Sequence, residues 1–447
     1  MKYATLATLT AALALGASAL AQPAVTPSSP VTVAQLPPTN PPVLIRHGHV
    51  FTMGRDGTLS NADVLISGGK IAAVGPNIVA PANTRVIDAK GKPVTPGLMA
   101  SYTQLGIEEL ELDNESNDSS GDQAINTAAF DVTDAINPNS TLIPVARIAG
   151  VTRVLTAPVA GPGVFYGKAA ILHLGNGPDL LVKANAGVFV TLGPVGSDDS
   201  RGTRPDTWSV FRETMDDARE YWTHRAGYHL PGGSRDQRTL RIDLEALGPV
   251  IRGEVPLIVH AERASDIRQA LKYTAANKLK MILLGAEEGW MVAKDIADAH
   301  VPVILDSVTN LPFHFSSIGA TLKNAARLDA AGVTVIFEPQ NDDPSQYART
   351  VAQIAGNAVA NGMPYEHALA AITSRPAAVW GIANSYGTLE VGKDADVVVW
   401  DGDPLEVTSA PTAVFIRGDN MPMVSRQTML RERYKNLKDK SKPFAYR

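Results

Sequence analysis

Between residues 255 and 360 the apolar positions come in short solid runs, each followed by a stretch with helical spacing. "VPLIVHAE" (255–262) precedes "SDIRQALKYTAANK", and "LKMILLGAE" (279–287) precedes "GWMVAKDIADAH". "VPVILDS" (301–307) leads, after a longer loop, to "ATLKNAARLDAAG", and "VTVIFEP" (333–339) leads to "SQYARTVAQIAGNAVANG". A solid apolar run bounded in this way reads as a strand covered on both faces, and a helix between two such strands makes them parallel. "GVTRVLTAP" (150–158) and "AGVFVTLGP" (186–194) fit the same role less regularly. The pattern predicts an α/β fold. A TIM (β/α)8 barrel is the first reading, and a doubly wound open sheet is the alternative, because periodicity alone cannot close a barrel.

The two ends of the chain follow another rhythm. "VLIRHGHVFTM", "ADVLISGGKIAAVGP" and "TRVIDAKGKPVTPG" are short β-rich runs punctuated by turn residues, and they predict a small antiparallel sheet over residues 43–94. A second β-rich group, "GTLEVGKDADVVVWDGD" and "TAVFIRGDN", lies near the other end. Residues 43–94 and 386–447 are therefore expected to complete one composite β-sandwich domain around a barrel over 95–385.

Composition narrows the class. A chain of 447 residues accommodates a barrel of roughly 250 residues plus a smaller domain. With 45% hydrophobic and 19% charged residues, a packed core is expected and global disorder is excluded. Net charge is −5 and the basic residues cluster only in the tail "RERYKNLKDKSKPFAYR", which argues against nucleic acid as a partner. No cysteine is present, so disulfides and thiolate metal sites are excluded. Neither G-x-G-x-x-G nor G-x-x-x-x-G-K-[ST] occurs, so no phosphate-binding loop is read.

The N-terminus reads as an export signal over residues 1–21. Lys2 supplies the positive start, "ATLATLTAALALGASAL" the apolar run, and Ala19-Leu20-Ala21 the small-x-small cleavage site. The apolar run is short for a membrane span and no other stretch approaches about 20 apolar residues. Residues 22–42, rich in Pro, Ser and Thr, read as an extended tether. The expected location is periplasmic or secreted, with no integral span after signal removal.

Four stretches, taken together and in order, carry a resemblance: "ADVLISGGKIAAVGP", "GKPVTPGL", "ALAAITSRPAAVWGI" and "GTLEVGKDADVVVWDGDPLEV". From about Val43 to about Gly418 the chain resembles the amidohydrolase superfamily, and most nearly its imidazolonepropionase-like branch. The resemblance implies a TIM barrel inserted into a composite β-sandwich. It also implies a small-molecule substrate attacked by water at a C–N or related bond, and barrels that often pair into homo-oligomers. Family members hold one or two divalent metals with a His-x-His pair on the first strand, a His on each of the fifth and sixth, and an Asp on the eighth. A carboxylated Lys or a Glu can bridge.

Carried over residue by residue, the resemblance gives a mixed site. In the family run Pro-Gly-Leu-x-x-x-His-x-His-Leu-Gly, this chain has Pro96-Gly97-Leu98, Tyr102, Gln104 and Leu105-Gly106. Residues i and i+2 of a strand face one side, which is why a His-x-His pair can grip one ion. A phenol with a pKa near 10 and a neutral amide are poor zinc ligands. The expected cofactor is thus one divalent metal (zinc) at most, or none. His260 matches the fifth-strand His as metal ligand, or is a hydrogen-bonded histidine at the barrel mouth. Gly285, Ala286 and Glu287 stand where the sixth-strand His is sought. Glu287 is read either as an oxygen ligand or as helix N-terminal charge. Asp342 is read as the catalytic acid/base, with Gln340 to Asp343 as the span over which the register slides and a helix cap as the alternative role. Tyr102 and Gln104 become substrate-orienting groups.

Other candidates have plainer roles. His47-x-His49 satisfies the ligand pattern but precedes the first barrel strand by about 50 residues, and is read as sandwich surface. Asp113, Glu115, Asp118 and Asp122 lack the EF-hand spacing and are read as a solvated loop rather than a calcium site. Trp208, Trp222, Tyr228 and Trp290 are read as packing rather than pocket lining. Two functions stay open: a hydrolase of carbon–nitrogen bonds, and a catalytically silent barrel serving as a binding or assembly module of the cell envelope.

Overall fold

A computed structural model describes residues 41–111, 113, 115–120, 127–159, 163–193, 203–227, 239–340 and 343–435. Five strands come first: β1 (Val43–Phe51), β2 (Thr58–Ser67), β3 (Lys70–Gly75), β4 (Arg85–Asp88) and β5 (Pro93–Pro96). Eight follow: β6 (Leu98–Thr103), β7 (Val151–Thr156), β8 (Phe165–His173), β9 (Leu181–Thr191), β10 (Leu257–Ala261), β11 (Met281–Gly285), β12 (Val303–Leu305) and β13 (Val335–Phe337). The last three are β14 (Val397–Trp400), β15 (Pro411–Ile416) and β16 (Asp419–Asn420).

The first five strands and the last three share one sheet, ordered β16-β15-β14-β5-β1-β2-β3 with β4 also paired to β1. Antiparallel pairing of β14 with β5, Val397 opposite Pro96 and Val399 opposite Val94, joins the two ends of the chain. Burial is uneven across this sheet. β4 is largely exposed, while Ile45, Val64, Val94, Val397 and Phe415 form an apolar cluster of their own.

The other eight strands form the second sheet in the order β13-β12-β11-β10-β9-β8-β7-β6. Neighbours are parallel except at β8, which runs antiparallel to both β7 and β9. This departs from a strict (β/α)8 alternation. The links around β8, residues 157–164 and 174–180, are too short for the crossover that parallel strands need, so the chain turns back as a hairpin. Closure differs too. Met99 N donates to Ile372 O (2.8 Å) and Phe337 N to Ala371 O (3.3 Å), so residues 371–372 span the seam between β6 and β13. The fold is a TIM-type barrel with an additional sheet, as the solid apolar runs and the terminal β segments predict.

Alternation selects what faces the barrel interior. Met99, Leu155, Ile171, Phe189, Ile258, Ile282, Leu284, Ile304 and Ile336 form one buried cluster. Moving two residues along three of these strands reaches His260, Asp306 and Glu338, which inherit the interior face at the C-terminal end. On β6 the pairing with β7 slips between Ala100 and Thr103, and Tyr102 joins the interior cluster. Outside, the helix Ala264–Ala276 buries Ile267, Ala270, Leu271 and Thr274, the spacing of one helical face.

Buried polar contacts tie the barrel to the first sheet. Arg153 on β7 is buried between them. Its Nε donates to Asp396 Oδ2 (3.0 Å), its Nη2 to Asp394 Oδ2 (2.6 Å), and its guanidinium lies 4.8 Å from the Tyr386 ring centre. Tyr386 Oη donates to Gly97 O (2.5 Å). Gly97 admits no side chain, since a Cβ there would sit 2.1 Å from Thr152 Oγ1. That packing accounts for the glycine of the Pro96-Gly97-Leu98 run. Among the described residues no helix is long and apolar enough to cross a membrane.

Candidate active site

The ends of β10 and β11 build the centre of the barrel mouth. Their parallel register sets His260 opposite Leu284 and Ala261 opposite Gly285. The ladder continues past the strands: Ala286 N donates to Ala261 O and Glu288 N to Glu262 O, each at 3.0 Å. Those bonds hold the two strand ends side by side. One ring nitrogen of His260 and one carboxylate oxygen each from Glu262 and Glu287 all lie within 4.8 Å of one another. The Glu287 Oε2 atom is buried and has no hydrogen-bond partner.

Gly285 permits this approach. Its φ is +84°, and a Cβ there would stand 3.1 Å from both Glu287 Oε2 and His260 Cδ2. Ala286 follows at φ +49°, a conformation that costs a residue with a side chain about 1 kcal/mol or more. Its carbonyl is held by Asn324 Nδ2 at 2.8 Å. Gly285→Ala is expected to displace the imidazole and the carboxylate. Metal affinity should fall by about tenfold or more and stability by about 1–3 kcal/mol. Zinc titration and thermal melts of the variant check both numbers.

Charge in the mouth is one-sided among the described residues. Burial pushes the Glu287 carboxyl up to about 8, helped by the nearby Glu262 and Asp306 carboxylates. Burial likewise raises Glu338 well above the usual carboxylate range, with Asp306 and Glu287 adding to it. Burial, and then the charge of Asp343, push Glu108 up to about 7. The His260 imidazole is held below its ordinary value by burial, which outweighs the attraction of Glu262. Asp306 is held in place by its own loop, accepting from Val308 N (2.7 Å) and Thr309 Oγ1 (2.5 Å).

Comparison with known proteins sets this geometry in context. A family model described as "Amidohydrolase family" matches residues 262–427. The chain is 25% identical over 393 residues to Amidohydrolase tasK of Hapsidospora irregularis, covering 80% of this chain and 39% of that protein. It is 27% identical over 150 residues to the Imidazolonepropionase of Brucella suis biovar 1, covering 33% of this chain and 36% of that one. These matches liken the chain to the amidohydrolases, with the family model confined to its C-terminal part. A crystal structure of an amidohydrolase from Thermotoga maritima MSB8 superposes with a TM-score of 0.76 at 24% identity, covering 85% of this chain and 99% of that one, a likeness of fold. The chain spans well under two thirds of the length of both sequence relatives.

Within this fold each described sequence candidate has a definite place. His260 and Glu287 come together, joined by Glu262, which the sequence did not single out. Tyr102 lies among Gln104, Glu338, Tyr166 and Glu108, and Glu338 in turn feels the charge of Glu287. Burial raises its phenol pKa further, so it stays neutral. Its Oη donates to Pro158 O and the Gln104 Nε2 to Ala157 O, each at 3.4 Å, while Gln104 Oε1 is buried without a partner. Asp342 and Asp122 lie outside the described residues, as does Tyr228. Asp343 caps the short helix Pro344–Tyr347 by accepting from Gln346 N at 3.0 Å. His47 pairs with Asp88 and His49 packs edge-on against Phe51, both on the first sheet. The indoles of Trp222 and Trp290 donate to Leu244 O and Gly319 O, and Trp208 packs on Phe211, so these three serve packing.

The donor set of His260, Glu262 and Glu287 fits a single divalent ion. One imidazole nitrogen with two carboxylate oxygens suits zinc, manganese or iron, and the partnerless Glu287 oxygen is satisfied by a cation.

Proposed function

We propose that the chain is an exported hydrolase of carbon–nitrogen bonds in a small amide-like substrate, working with one divalent ion, zinc first, held by His260, Glu262 and Glu287. The observation that carries this reading is the convergence of those three side chains at the C-terminal ends of adjacent barrel strands, with a buried Glu287 oxygen lacking any other partner. A bound ion supplies Lewis acidity and a water acidified toward neutrality. The chain's own groups do the rest. Glu338, buried and with its carboxyl held well above the usual carboxylate range, gives its proton to the leaving nitrogen. The neutral Tyr102 phenol and the Gln104 amide orient the substrate by hydrogen bonding. Phe189, 5.5 Å from the Tyr102 ring, packs against it and helps to hold the phenol in place.

Metal analysis of the purified protein, with hydrolysis of an amide, lactam and dipeptide panel before and after chelation, tests this. About one ion per chain is expected, with activity lost on chelation and restored by zinc. A second reading, a silent binding module, is favoured if Tyr102 and Gln104 replace the His-x-His pair that the resemblance implies; absence of both metal and turnover would select it. Export predicts a mature protein that starts at Gln22, which N-terminal sequencing of periplasmic or secreted material reads directly.

A further inference from the structure

At the opposite end of the barrel, a cavity of about 540 Å³ opens among the N-terminal ends of β9, β10, β11 and β12 and residues 379–381. It lies one strand length, roughly 13 Å, from His260 along β10. Its walls are apolar where Leu271, Val301 and Val379 line it, and that volume suits a small organic molecule. Its polar side chains include Lys183, Lys280, His300 and Thr274. Lys183 and Lys280 both line it, close enough that each repels the other's charge. The Lys183 Nζ donates to Trp380 O at 2.8 Å. Trp380, 1% exposed, also lines the cavity, and its indole Nε1–H is buried without a partner. Among the described residues the one carboxylate on the rim, Glu254, is already engaged by Arg252 through two bonds of 2.8 and 2.9 Å.

Two like charges beside an apolar wall call for an anion with a greasy tail. We propose that this cavity binds a small organic monocarboxylate with an apolar body, its head group between Lys183 and Lys280. A carboxylate relieves the lysine–lysine repulsion and accepts from both ammonium groups. The site is separate from the metal group and does not depend on turnover there.

Octanoate is the probe, titrated calorimetrically into the full-length protein with chelator present so that no ion in the mouth competes for it. Binding with a Kd of about 1 mM or tighter is expected, with octylamine failing to bind. Lys280→Glu, on an exposed position that the fold tolerates, should weaken octanoate by about tenfold or more. Glu287→Gln should leave octanoate affinity unchanged. Lys183→Gln should weaken it similarly, and if that variant fails to fold, Lys280→Glu decides. No heat of binding up to about 10 mM, equal binding of octylamine, or octanoate binding indifferent to Lys280→Glu would each overturn the proposal.

Discussion

Glu287→Gln is expected to abolish metal retention and hydrolysis while raising the melting temperature of the metal-free protein at pH 8. The carboxyl is pushed from an ordinary 4.5 up to about 8, chiefly by burial and then by Glu262. A carboxyl whose folded pKa is raised costs stability as pH climbs. Its contribution is intact below about pH 4.5 and is lost as pH rises through about 8. An amide of the same shape carries no such cost. Because the side chain reaches the mouth, water screens part of the effect, and a gain of about 1–3 kcal/mol at pH 8 is expected, vanishing near pH 4.5. Loss of a metal-ligating oxygen should cut activity at least about 100-fold. Melts of chelated wild type and variant across pH 4.5–8, beside metal content and turnover, settle it. A variant that is less stable than wild type at pH 8, or that keeps its metal, contradicts this account of the site.

Arg153→Ala should be the most damaging single change to the fold outside the apolar core. The guanidinium is 1% exposed and bridges Asp394 and Asp396 in a fork that a shorter cation cannot copy. Asp394 keeps a second partner in Lys70 at 2.6 Å, but Asp396 is left with a buried charge answered only by backbone donors such as Arg417 N. Removing one member of such a pair costs about 3–5 kcal/mol. Urea denaturation should show a midpoint lowered accordingly, with Asp396→Asn in the Arg153→Ala background recovering part of the loss. A shift below about 1 kcal/mol would mean that the bridge is incidental to joining sheet and barrel.

The barrel was legible where the chain writes each βα unit in full. "VPLIVHAE" with its helix, and the three units after it, needed only their unbroken apolar runs. The stretch from Phe165 to Asn185 did not announce itself, because Gly167, Lys168, Lys183 and Asn185 interrupt the apolar run, whereas the end of β9 was legible in "AGVFVTLGP". Its hairpin became readable only through the short links on either side of it. The site divides in the same way. His260 follows from alternation, two positions beyond Ile258. Glu262 lies past the end of β10, and its partnership with Glu287 rests on the register between two strands, which no single stretch encodes. Glu338 could have been found by the rule that locates His260, two positions beyond Ile336, but Pro339 and the run of acids after it drew attention onward to Asp342 and Asp343. Asp343 proved to be a helix cap.

The pairing of β5 with β14 has a consequence for how the protein is made. β5 emerges among the first hundred residues, but its neighbour on one side spans Val397–Trp400, and Trp400 Nε1 must still reach Thr95 Oγ1 (3.0 Å). Throughout synthesis of the barrel, a nascent chain therefore carries an unsatisfied strand edge ready to pair with any other extended chain. That edge is shielded once Val397–Trp400 has been made. A ribosome stalled anywhere inside the barrel would display an adhesive intermediate, and rapid completion or a chaperone on that edge is what the topology demands.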